Sequence, residues 1–345
     1  MERHALHGVN LSGWLCLESW ITPELFAGTG SLAEPDIVAT IGVECYRDLI
    51  REHRSSFVKE MDFELIARRG FNAVRIPVPW YAFGEEGPEC GPLLGCIPEL
   101  DRAFAWAADH GISVLLVLAI SPTATEDTDL ITGPGHSRRQ SMVRVLERLA
   151  ARYQDEDALF GIEVAHEPKA QHREGLLGVT EGVPMASLRT YYREAYAAIR
   201  GAAGERPVVV LPDAGVPGAW KSFMAQGHYR NVWLDCHLYH YDEHVDATGP
   251  AGAAALVARS RKILKTAGRG HLPVMVGAWS AALPFADSLM TPEGRIALER
   301  VYCAEQIAAF EGLPAWFFQT WKTSGHLSGW DSRTALASFE RRMLS

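Results

Sequence analysis

The sequence predicts a single (β/α)8 domain of the TIM-barrel class over residues 1–345, and three observations carry that reading. Short β-branched or apolar runs recur at 8–11, 73–78, 114–120, 160–165, 208–211, 232–238, 274–276 and 316–318. Near-continuous apolar runs of this length suit parallel strands buried on both faces. Helical stretches alternate with them, at 62–69, 100–110, 137–153, 185–200, 251–266 and 292–310. The first two run into Gly70 and Gly111, the expected stop signals. No Pro/Gly/Ser-rich linker or low-complexity tract marks a boundary within the chain. A doubly wound open sheet is the alternative, but no Gly-rich phosphate turn follows any strand.

Composition narrows the function classes. The net charge is −9 and no basic block offsets it, which argues against nucleic acid or an anionic membrane as partner. The longest apolar run, 114–120, is far short of the roughly 20 residues of a membrane span. The opening residues, MERHALHGVNLSGW, lack the pattern of an export signal, so a cytoplasmic location is expected. The six cysteines follow no metal-ligand spacing. Cys90 and Cys96 could close a small loop, but free thiols are the expectation in that compartment. No His-Glu-x-x-His occurs, and His237 and His240 have no matching carboxylate in sequence, so neither metal nor cofactor is expected. No Gly-x-Ser-x-Gly follows a strand.

In such a barrel, polar residues at the C-terminal ends of strands are where chemistry is expected. Those ends carry Asn10, Arg75, His166 with Glu167, Asp213, His237 with Tyr239, Trp279 with Ser280, and Gln319 with Trp321. Glu167 closes the run Gly161-Ile-Glu-Val-Ala-His-Glu-Pro168. A carboxylic acid there can be held protonated by burial or by a second carboxylate, and then serves as a general acid. An exposed Glu capping a helix that begins at Pro168 explains the same residues equally well.

Several blocks together resemble glycoside hydrolase family 5, especially its exo-β-1,3-glucanase branch. They are Gly8-Val-Asn-Leu-Ser-Gly-Trp-Leu to Trp20-Ile-Thr-Pro-Glu-Leu-Phe26, and Arg69-Gly-Phe-Asn-Ala-Val-Arg-Ile-Pro-Val-Pro-Trp-Tyr-Ala-Phe83. Leu234-Asp-Cys-His-Leu-Tyr239, Val276-Gly-Ala-Trp-Ser-Ala-Ala-Leu283 and Gln319-Thr-Trp-Lys-Thr323 follow in the same order. The resemblance implies an acid/base at the end of the fourth strand, which lands on Glu167. It implies a nucleophilic Glu at the end of the seventh, in a Gly-Glu-Trp-Ser context that here reads Gly277-Ala278-Trp279-Ser280. Retaining glycosidases use two carboxyl groups about 5–5.5 Å apart, and a methyl group replaces neither of them. Because the flanking residues keep the pattern, a nucleophile-to-Ala variant of an active enzyme is expected. A natural non-catalytic glycan-binding protein is the alternative.

The resemblance assigns further roles. Arg75 and Tyr239 would hydrogen-bond the nucleophile carboxylate, and His237 would line the glycone site and orient the acid/base. Trp321 would form the floor under the sugar, with Trp80, Tyr81 and Trp279 as further aromatic platforms. Asp213 and Asp235 are read as structural acceptors. Two departures bear on specificity. His166 stands where the family usually has Asn, and the segment 117–122 after the third strand lacks the glucanase-like His. The expected substrate is a short β-linked oligosaccharide, with mannose and glucose both open as glycone.

Overall fold

The structure is a computed structural model that describes residues 5–84, 91–119, 137–171, 173–174, 178–243, 247, 249–284 and 291–337. Eight parallel strands close into a barrel: β1 Leu6–Asn10, β2 Ala73–Pro79, β3 Ser113–Ala119, β4 Leu159–Glu163, β5 Val208–Pro212, β6 Val232–Leu238, β7 Val274–Trp279 and β8 Ala315–Phe318. Each pairs with its sequence neighbours, and β8 returns to β1 through Leu6↔Ala315 to Val9↔Phe318. The barrel class expected from the apolar runs is therefore the observed one.

Helices pack outside this sheet. They are α1 Glu34–Ile41, α2 Val43–Phe57, α3 Glu60–Arg68, α4 Ile97–His110, α5 Ser137–Tyr153, α6 Met185–Ala203, α7 Pro250–Ala267, α8 Pro292–Ala309 and the short α9 Ser332–Ala335. Helix α4 ends where Gly111 takes the left-handed conformation, φ 65°, and Gly70 after α3 has φ 93°. A residue with a Cβ would be strained at both, so these glycines act as the stops their positions suggested. Two features were not anticipated. The segment between β1 and α3 holds α1 and α2, and between β5 and β6 a single 3-10 turn, Pro217–Trp220, replaces a crossover helix.

The core has two shells separated by the sheet. Inside the barrel, Leu6, Leu115, Val210, Trp233, Met275 and Phe317 form an apolar plug. Outside, strand residues such as Val74, Leu116 and Phe318 pack against helix residues such as Phe63, Leu146 and Tyr191. Above the plug the inward positions change character, because Asn10, Arg75, Glu163 and Asp235 are all fully buried. Buried charges are tolerated only when paired, and this polar layer is the platform on which the barrel mouth is built. Among the described residues no helix is long and apolar enough to cross a membrane. Cys16, Cys45, Cys96, Cys236 and Cys303 are free, and Cys90 lies outside the described residues.

Candidate active site

Arg75 is the hub of the polar layer. Its Nε and Nη2 donate to the two carboxylate oxygens of Glu163, each at 2.8 Å, and its Nη1 donates to Asn10 Oδ1 at 2.8 Å. Asn10 Nδ2 in turn donates to the carbonyl of Gly277 on β7 at 2.9 Å. Asp235 accepts the Gly277 N–H and also sits 3.0 Å from His237 Nε2. A Cβ at position 277 would collide with the Asp235 carboxylate, so only glycine fits there. Glu163, Asp235 and His237 have the mutual spacing of a metal-ligand set. Their acceptor atoms are taken by the Arg75 guanidinium and by N–H donors, so the positive charge here comes from Arg75 and His237.

Strand β7 bulges at this point. Cys236 pairs with Val276 while His237 pairs with Ala278, and Trp316 pairs with Val276 while Phe318 pairs with Trp279. Gly277 is the extra residue on the β6 side, and the extra residue toward β8 falls at 277–278, so the in–out alternation slips by one beyond it. Ala278 is fully buried beside His237. Trp279 turns outward to the helix layer, its ring 5.0–5.5 Å from those of Phe310, Trp316 and Phe318. Its placement is that of a core side chain, not of a sugar platform. Trp321 is likewise buried, donating its indole N–H to Asp62 of α3 at 2.8 Å with Arg69 over its ring. That direction carries it away from the mouth, against the expectation of a floor under the sugar.

Glu167 stands just past β4, at a backbone φ of 47°, with its side chain 42% exposed. Its Oε1 accepts from His237 Nδ1 at 2.7 Å, and the Tyr239 hydroxyl also bonds it. Tyr239 and Arg75, expected on a carboxylate at 278, thus serve Glu167 and Glu163 instead. The surrounding walls desolvate the Glu167 carboxyl, which alone would raise it. His166, His237 and Arg75 outweigh that effect and hold it well below the usual carboxylate range. For His237, burial would lower the imidazole, but Asp235 and Glu167 push it up to about 10. At neutral pH it is an imidazolium donating to a carboxylate at each nitrogen. Burial brings His166 down to about 4, so it is neutral and accepts from Arg75 Nη2 at 3.3 Å. Asp213 accepts the Gly215 N–H within its own turn.

A cleft of about 600 Å³ opens beside Glu167, on the side of the loops after β1 to β4. Glu18, Trp20, Trp80, Tyr81, His166 and Tyr241 are on its wall. Of the expected platforms, Trp80 and Tyr81 reach this cleft, stacked edge to face at 5.5 Å. Glu18 was not singled out from the sequence. It accepts the Trp20 indole N–H at 2.9 Å. Desolvation, reinforced by the negative charge of Glu167, pushes its carboxyl up to about 7. Trp20 belongs to an aromatic rim: its ring is 4.9 Å from that of Trp330, which lies 5.1 Å from Tyr241 and 5.6 Å from Tyr239. The only sequence signal for Glu18 was an acid inside the block that ends at Phe26, where no periodicity reveals direction.

Comparison with known proteins fits this arrangement. The model of the cellulase family, glycosyl hydrolase family 5, matches residues 45–287. The chain belongs to glycoside hydrolase family 5. A probable glucan 1,3-β-glucosidase A of Emericella nidulans is 30% identical, over 96% of this chain and 89% of the relative. A glucan 1,3-β-glucosidase of Schwanniomyces occidentalis is 26% identical, over 94% and 84%. Among solved structures, a rutinosidase from Aspergillus niger superposes with a TM-score of 0.77 at 16% identity, covering 97% of each chain. An endoglucanase from Thermotoga maritima gives 0.60 at 16% identity, covering 98% and 95%. At these identities the structural matches speak for the fold. The homology to glucan 1,3-β-glucosidases and the family place the chain among glycosidases, with carbohydrate as the implied ligand class.

Proposed function

We propose that the cleft is the glycone site of an exo-type β-glycosidase framework. It holds the non-reducing end of a short β-linked gluco- or manno-oligosaccharide, and with Ala278 in place it does so without double displacement. The observation that carries this reading is the company Glu167 keeps. A retaining acid/base is kept protonated by a second carboxylate across the sugar, whereas Glu167 faces an imidazolium and position 278 offers a methyl. Glu163 and Asp235 are fully buried and bonded, which leaves neither as a substitute nucleophile. The glucan 1,3-β-glucosidase relatives favour glucose as glycone, and His166 keeps mannose open. The free thiols fit a cytoplasmic setting.

A second reading, a natural glycan-binding protein, draws on Arg75. Its donors are bonded to Glu163 and Asn10 with a methyl at 278, as expected of a mouth that works without a carboxylate there.

One experiment separates the two. Ala278→Glu is assayed on nitrophenyl β-glucoside and β-mannoside, with NMR of the first-formed sugar. The enzyme-framework reading expects hydrolysis to rise by at least about three orders of magnitude, with retention of configuration. Background rates on both glycones leave the binding-protein reading standing, and an inverted product removes the double-displacement assignment.

A further inference from the structure

The wall of the cleft combines acids with aromatic faces, and its charges are unevenly spent. Three acids line it, Glu18, Glu34 and Glu167, against one cationic side chain among the described residues, Lys169. Glu34 is committed to structure: it is buried and accepts the hydroxyls of Tyr46 and Tyr81. Glu167 accepts from His237 and Tyr239, and Glu18 from the Trp20 indole, Ser12 and the Gly13 backbone. Each carboxylate offers about four lone-pair sites, so both keep some acceptor capacity where they line the cleft. Desolvation, with the negative charge of Glu167 adding to it, pushes Glu18 up to about 7. Trp20 and Tyr241 are 38% and 49% exposed on the same wall.

A neutral sugar ring uses the aromatic faces but does nothing for two like charges held in one cleft. A ligand carrying a positive charge relieves that repulsion and gains a charge-assisted hydrogen bond to each carboxylate. It also gains the attraction of an aromatic face for a cation.

We propose that the preferred glycone is an amino sugar, its ammonium held between Glu18 and Glu167 beside the ring of Trp20. This rests on the carbohydrate-binding reading above and names the class of sugar. The glycone's remaining hydroxyls and ring face then meet the aromatic wall as any hexose would.

The test is calorimetric titration of the full chain at neutral pH with three disaccharides of the same β-1,4 linkage. They are cellobiose, the glucosamine disaccharide, and its N-acetylated form, which has the same nitrogen without the charge. The glucosamine disaccharide should bind at least about ten-fold tighter than cellobiose, the scale of one charge-assisted hydrogen bond. The acetylated form should lose that gain. In Glu18→Gln the ratio between glucosamine disaccharide and cellobiose should fall toward one. If cellobiose binds and the amine binds no better, the amino-sugar assignment is wrong while the carbohydrate site stands. A preference that survives Glu18→Gln also overturns it, and no binding of any of the three sinks both readings together.

Discussion

The two halves of the barrel mouth have diverged in openness. The half built from the loops after β1 to β4 is a cleft, lined by Glu18, Trp20, Trp80 and Tyr81 and reaching Glu167. The half built from β7 and β8 is the closed one among the described residues: Ala278 is buried beside His237, and Trp279 and Trp321 pack into the helix layer instead of facing the mouth. The residues proposed to hold a sugar line the cleft, whereas Ala278, where the family resemblance puts the nucleophile, is buried. On the reading proposed above, recognition and bond cleavage draw on separate parts of one mouth.

The sharpest way to break that contrast is to truncate residues of the closed half. Trp279→Ala removes a buried ring packed edge to face against three others, and Arg75→Met strands the buried Glu163 carboxylate. Each should cost about 3–5 kcal/mol of stability in urea unfolding. Sugar affinity lost at full stability would mean that the closed half is part of the binding site.

A smaller effect should appear with pH. The folded pKa of His237, about 10, lies above the unfolded value of about 6.5. Its stabilising contribution is therefore complete below about pH 6.5 and disappears as pH rises through about 10. The stability difference between the native chain and His237→Gln should shrink over that window, read from unfolding midpoints at fixed ionic strength. A difference that stays constant would show that His237 is neutral in the fold.

The smallest stability effect belongs to the open half. Trp20→Ala should change stability by no more than about 0.5 kcal/mol, as expected of a side chain at the surface. It should weaken disaccharide binding by about 0.5–1.5 kcal/mol. Unchanged affinity would remove Trp20 from the sugar wall.

The sequence made the closed half easier to misread than the open one. Strand positions, the helix stops at Gly70 and Gly111 and the clustering of Arg75, Glu167, His237 and Tyr239 were all legible, because period and end position determine them. Trp279 was not, because a one-residue bulge at Gly277 reverses the face on which every later side chain emerges, and nothing in Val-Met-Val-Gly-Ala-Trp announces it. Trp321 lies past the end of β8, where strand alternation no longer applies and the Asp62 carboxylate decides its direction. Glu18 sits outside any strand or helix, where no periodicity gives the direction of a side chain, and its neighbour Glu167 in the cleft is distant in sequence.

The pairing of Arg75 with Glu163 has a consequence for how such a barrel can change. In the polar layer, Arg75 and His237 supply two positive charges and Glu163 and Asp235 two negative ones. The layer is electroneutral without any contribution from position 278. A carboxylate at 278 can therefore be deleted without leaving a stranded cation in the barrel, and the fold registers no lesion. Selection for folding and selection for turnover are uncoupled at that residue.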